Sequence, residues 1–300
     1  MRKAFLLAMV MCFAAMGNAQ LLKVSSVEKV PIPESASASI STISPDGSFV
    51  LVTDNFKSGI SKWDISSAAY TQVSSTGYSV SILDDCSTIV YRENSFDENH
   101  LRYVSVKTLD LATKKVATIV APTRNLNGVA VAGNTVTAID SRRATVKAVK
   151  GVKESRPTAS IDKGQLCITV NGKTSVISPN GREGQSYLWP SVSPDGKKVV
   201  YYLAATGCFV ANIDGSNPVA LGILRAAKWY DNNTVVGMVD HDNGEFVTSS
   251  SLMAVSADGK IRQEIAPENA MAMYPSISAD GSKISYTTPA GGLYIMNITK

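Results

Sequence analysis

The sequence predicts an all-β chain rolled into a six-bladed β-propeller of four-stranded blades, and three observations lead there. One hairpin recurs along the chain, as "TISPDGSFVLVT" from Thr42, "SVSPDGKKVVYY" from Ser191 and "SISADGSKISYT" from Ser276. Helical periodicity is nearly absent after residue 20. Short runs rich in Val, Ile, Thr and Tyr end instead in Gly, Asn, Asp or Pro, which is the pattern of strands and turns. A lone strand-like segment, Leu21 to Pro33, precedes the first repeat, and the last repeat is one strand short.

Taken in order, "MRKAFLLAMVMCFAAMGNAQ" opens with Arg2 and Lys3, continues through an apolar run from Ala4 to Met16, and ends in small residues at Gly17-Asn18-Ala19. That order is a secretory signal peptide, with an apolar run too short for a spanning helix of roughly 20 residues. Residues 1–19 are expected to be cleaved, and residues 20–300 to form a single propeller domain. Without Arg2 and Lys3 the chain has 27 basic and 25 acidic residues, a net charge of +2 that asks for neither nucleic acid nor an anionic membrane. Three cysteines remain, Cys86, Cys167 and Cys208, and their spread predicts free thiols.

The first turn, Ser44-Pro45-Asp46-Gly47, explains its own order. Pro presets φ at the second position, Asp tolerates the third, and Gly accepts the left-handed conformation that closes the hairpin. Ser193-Pro194-Asp195-Gly196 repeats it, and Ser278-Ala279-Asp280-Gly281 repeats it with Ala for Pro. Degenerate copies lie between them: "ILDDCSTIVY" from Ile82, "AVAGNTVTAI" from Ala130 and "KWYDNNTVVG" from Lys228. Each of these six turns is followed by a second strand–turn–strand, such as "GCFVANIDGSNPVAL" or "QLCITVNGKTSVIS". Six units of four strands follow, the sixth ending after "GGLYIMNI". A strand from Leu21 to Pro33 completing that unit would close the ring and remove an exposed edge.

"PSVSPDGKKVVYYLAATGCFVANIDGSNPVAL" and "YPSISADGSKISYTTPAGGLYIMNI" resemble the WD-like PD repeat of the TolB-like propellers. The resemblance covers units 1, 4 and 6 well and units 2, 3 and 5 in outline, and it concerns the propeller part alone. It implies an exported envelope protein and fixes fold more strongly than function.

Catalytic motifs are missing. There is no G-x-S-x-G, H-E-x-x-H or C-x-x-C, and the only two histidines, His100 and His241, lie far apart in polar loops. No metal and no cofactor is expected. Asp84-Asp85 stands where Pro-Asp stands in the other turns, so turn chemistry accounts for it. Carboxylates converging on the axis would instead point to a carbohydrate-active hydrolase or lyase, the alternative reading.

Loop lengths point to one face. The turns between first and second strands are short, whereas the opposite face takes "ENSFDENH", "SRRATVKAVKGVKESRPTASIDKG", "PNGREGQSYLWP", "HDNGEFVTSS" and "APENAMAMYP". Long loops on a rigid scaffold carry function. Candidate binding residues on that face are the basic Arg142, Arg143 and Lys147, the acidic Glu93 and Asp97, His241, and the aromatics Trp189 and Tyr274 before Pro190 and Pro275. The expectation is a periplasmic or secreted monomer without catalytic activity. It would recognise a protein or envelope peptide, with no nucleic acid and no membrane span.

Overall fold

A computed structural model describes residues 20–33, 36–53, 59–140, 143–151, 156–181 and 185–299 of the chain. The leader expected over residues 1–19 and Arg142 lie outside the described residues. After β1 (Lys23–Val30), blade 1 holds β2 (Ile40–Ile43), β3 (Phe49–Thr53), β4 (Ile60–Asp64) and β5 (Ala69–Ser74). Blade 2 holds β6 (Gly77–Ile82), β7 (Thr88–Phe96), β8 (Arg102–Asp110) and β9 (Val116–Thr123). Blade 3 has β10 (Leu126–Ala132), β11 (Thr135–Asp140) and β12 (Arg143–Ala148); blade 4 has β13 (Thr158–Asp162), β14 (Gln165–Val170) and β15 (Lys173–Ile177). Blade 5 is β16 (Tyr187–Val192), β17 (Lys198–Leu203), β18 (Gly207–Asn212) and β19 (Val219–Gly222). Blade 6 is β20 (Arg225–Trp229), β21 (Thr234–Asp242), β22 (Val247–Ser256) and β23 (Arg262–Ala266). Blade 7 combines β24 (Met273–Ile277), β25 (Lys283–Thr287) and β26 (Leu293–Thr299) with β1 as its outermost strand.

The fold is therefore an all-β propeller closed by its N-terminal strand, but with seven blades and not the six expected. The missed hairpin is "TASIDKGQLCITV". Its turn, Lys163-Gly164, has φ of +50° and +80°, the two positive values of a type I′ turn. It lacks the Ser-x-Asp-Gly signal of the turns in blades 1, 5 and 7, so it passes for loop. In those turns the Ser hydroxyl organises the bend. Ser44 Oγ donates to Asp46 Oδ1 at 2.6 Å and accepts from the Ser48 and Phe49 N–H groups at 3.0 and 3.1 Å. Ser193–Asp195 and Ser278–Asp280 repeat the 2.6 Å bond.

Blades 3 and 4 also depart from four strands, having three each. Parity then dictates their direction. A three-stranded blade delivers the chain to the face opposite the one it entered from, so the next innermost strand must run backwards. β13 does so. At its start, Pro157 lies where a Cβ on Gly196, in the first turn of blade 5, would meet it at 2.9 Å. At its end, Gly164 accepts from the N–H of Tyr187, where β16 begins, at 2.8 Å. The second three-stranded blade restores the original direction.

This overturns the loop insertion expected from Ser141 to Gly164. Residues 143–148 are β12, the outer strand of blade 3, and the described part of the following link returns on the short-turn face. There Lys150 pairs with Asp85 at 2.8 Å and Asp110 at 3.3 Å, and Arg156 pairs with Asp84 at 2.9 Å. Two of the run's basic groups thus staple the link to blade 2.

Apolar side chains fill the spaces between neighbouring blades. Val90, Val106 and Val136 join blades 2 and 3, and Val200, Leu224 and Val235 join blades 5 and 6. Cys86, Cys167 and Cys208 form no disulfide with one another and belong to blades 2, 4 and 5, although Cys167 sits in the middle strand of its blade and not in a third strand as expected. Thiol titration of the cleaved chain in denaturant is expected to find all three; a count of one would reveal a bridge and a different blade assignment. No helix among the described residues is long and apolar enough to cross a membrane.

Candidate binding face

The hairpins joining second and third strands, together with most links between blades, form one end of the molecule, the connection face. Two hairpins rise well above the rest. β7 and β8 make nine paired positions, as do β21 and β22, against five in β25 and β26. Four further pairs at about 3.4 Å each add roughly 14 Å of height. Blades 2 and 6 therefore carry towers on either side of blades 7 and 1.

Each tower ends in an exposed phenylalanine, Phe96 and Phe246, both 64% accessible. Each also holds one of the chain's two histidines, His100 and His241, both exposed. The polar residues between them are largely consumed in shaping the tips. Asp97 Oδ1 accepts the N–H groups of Asn99 and Leu101 at 2.9 Å, and Asn243 Oδ1 accepts those of Glu245 and Phe246 at 3.0 and 2.8 Å. Glu93 is ion-paired with Lys107 and accepts from Thr76 Oγ1 at 2.5 Å, and the Lys107 bond leads the influences holding its carboxyl below the usual range. Glu93 and Asp97 thus support the blade 2 tower from within. At the base of the blade 6 tower, Arg225 Nη1 meets Asp240 Oδ2 at 2.6 Å.

Nearer the axis, Trp189 and Tyr274 occupy equivalent places in β16 and β24. Each sits in a β-bulge with positive φ, +48° and +51°, matched by Ser79 at +52° in β6 and Ala226 at +50° in β20. Four blades share the device, so the bulge belongs to the fold. What distinguishes two of them is the aromatic side chain that the bulge re-aims. Trp189 stands edge-on to Tyr202, with centroids 5.6 Å apart, and keeps 36% of its surface exposed. Tyr274 is half-buried, and its N–H points at Met238 Sδ at 3.4 Å.

Of the predicted residues, Trp189, Tyr274, Glu93, Asp97 and His241 thus share this end of the molecule. Arg143 starts β12 beside it. Lys147 lies near the other end of that strand, exposed on the outer edge of blade 3, where lysine also discourages edge-to-edge pairing. The phenylalanines at the tower tips were not anticipated, although "NSF" and "GEF" inside polar loops were the available signal.

No family model and no curated protein matches the chain. Solved structures do. The WD40 repeats of RRP9 match with a TM-score of 0.63 and 11% identity over 91% of this chain and 97% of that one. TolB from Acinetobacter baumannii matches with a TM-score of 0.50 and 15% identity over 76% of this chain and 55% of that one. An oligogalacturonate lyase in complex with manganese gives 0.50 and 15% over 87% and 76%. At these identities the likeness shows the propeller fold alone. Among the described residues no three His, Cys, Asp or Glu side chains gather as a metal site would require.

Proposed function

We propose that the protein is an exported, non-catalytic binding module whose connection face recognises a protein or peptide of the cell envelope. The distribution of exposed apolar surface carries this reading. Of the ten large apolar side chains that stay exposed among the described residues, Phe96, Leu101 and Phe246 are on the towers and Ile40, Leu188 and Trp189 at strand entries on the same face; Ile223 lies in the link from blade 5 to blade 6. Scattered single exposures need no explanation, but seven on one end of a ring, framed by two raised hairpins, mark an interaction surface. Aromatic anchors near its centre are the residue types that dominate interface energetics.

In this reading Trp189 and Tyr274 form the central contact, and Phe96 and Phe246 close on the partner from the sides. His241 and Asp97 belong to the rim, while the charges of Arg142 and Arg143 steer approach. The test is kinetic, on a partner captured from envelope extract with the cleaved chain. Trp189→Ala is expected to speed dissociation about tenfold, or ~1.4 kcal/mol, and Phe96→Ser with Phe246→Ser by more. Arg143→Ser is expected to slow association and flatten its salt dependence, since charges that steer encounter act over about 8 Å at physiological salt. Unchanged kinetics in all three folded variants would move the site to the short-turn face.

A further inference from the structure

The innermost strands enclose a central cavity of about 500 Å3 that all seven blades line. In five blades the residue two before the first turn stands at one level of its wall, at the second pair of the inner hairpin: Thr42, Ser81, Ser191, Lys228 and Ser276. Four are hydroxyls, and blade 6 alone supplies an ammonium. Ser276 Oγ accepts the Ile43 N–H at 3.1 Å, which leaves its own O–H free to donate into the cavity. The Trp229 indole N–H donates to the Ser191 carbonyl at 2.9 Å, fixing β20 against β16 at this level.

The Lys228 ammonium has no hydrogen bond or ion pair to the described residues. Lys228 is exposed and lines the cavity. Desolvation lowers its pKa below the ordinary lysine value, and among the described residues no charged group offsets it. The one carboxylate on the cavity wall, Asp84, is held by Arg156 at 2.9 Å at the rim. An ammonium partly stripped of water by the wall and left without a protein partner favours an anion. Four hydroxyls at its level, with the wall's carboxylate already held by Arg156, match an oxyanion in both charge and hydrogen bonding.

We propose that this cavity binds a small oxyanion, a phosphate or carboxylate, held by Lys228 Nζ and by the hydroxyls of Ser191 and Ser276 on the flanking blades. The site lies toward the short-turn end of the axis and does not depend on the binding face described above. Titration calorimetry with inorganic phosphate, and separately with acetate, tests it on the cleaved protein. At least one anion is expected to bind, Lys228→Met to weaken it at least about tenfold, and Ser191→Ala with Ser276→Ala to weaken it several-fold. In buffer free of either anion, Lys228→Met is expected to unfold no earlier than the parent, because it removes a charge that no described protein group pairs with. Should that variant fail to fold, the serine pair still reads the site. No binding of either anion tighter than about 10 mM, or equal binding by Lys228→Met, overturns the proposal.

Discussion

A chain beginning at Glu34 is expected to unfold at a temperature at least about 10 °C below one beginning at Gln20, or to fail to fold. The difference is β1. This strand pairs with β26 from Lys23↔Thr299 to Val30↔Leu293, and without it β26 becomes a bare edge. Leu22 and Val30 are buried at 3% and 4% exposure, and two such side chains contribute about 3–6 kcal/mol together. Gln263 adds a clasp from blade 6: its Oε1 accepts the Leu21 and Leu22 N–H groups at 2.7 and 2.9 Å, and its Nε2 donates to the Leu22 carbonyl at 2.6 Å. Against a total stability of about 5–15 kcal/mol, at roughly 2–4 °C per kcal/mol for a chain of this size, the loss is global. A synthetic peptide of residues 20–33 is expected to restore part of it by adding back the strand. Equal midpoints would show that the ring does not depend on this closure.

Ring closure was legible because it follows from counting: a strand with no partner at one end and a unit short of a strand at the other. The blade number was not, and the reason is local. Ser-x-Asp-Gly turns announce themselves because a hydroxyl, a carboxylate and a glycine must fall in fixed order. Lys163-Gly164 needs only two residues that tolerate positive φ, and Lys gives no such notice. Once that hairpin is passed over, Thr158–Asp162 reads as the tail of a basic loop and Gln165–Val170 as the third strand of the preceding unit. A four-strand period then absorbs both short blades, since two sets of three strands nearly fill one unit and its loop.

The candidate face was partly legible for a related reason. Loop length located the two tall hairpins, and the X-Pro pairs located Trp189 and Tyr274. Charge patterning misled, because a run of basic residues says nothing about what it pairs with. Asp84, Asp85 and Asp110 lie 40 to 72 residues from Lys150 and Arg156 in sequence, and only the return of the chain on the short-turn face brings them together. Lys228 went unremarked inside "KWYDNNTVVG" because alternation marks it as a polar position in a strand. Only the closed ring turns that position inward.

Replacing Asp240 with Ala is expected to cost about 3 kcal/mol, measured by denaturant or thermal unfolding. The carboxylate is 7% exposed, its Oδ2 is 2.6 Å from Arg225 Nη1, and its Oδ1 is buried without a hydrogen-bond partner. Tyr202 and then Asp240 hold the Arg225 guanidinium above its ordinary pKa, so the cation is committed to this place. Truncating the acid strands that cation at the base of the blade 6 tower. The side chain of Arg225 keeps 34% of its surface, and water reaching it holds the cost to the lower part of the 3–5 kcal/mol typical of broken buried pairs. Removing both charges, as Arg225→Met with Asp240→Leu, is expected to recover most of the loss, because the penalty comes from the unpaired ion and not from the missing contact. A double-mutant cycle separates the two. A single Asp240→Ala variant within about 0.5 kcal/mol of the parent would show that water, and not the ion pair, already satisfies Arg225.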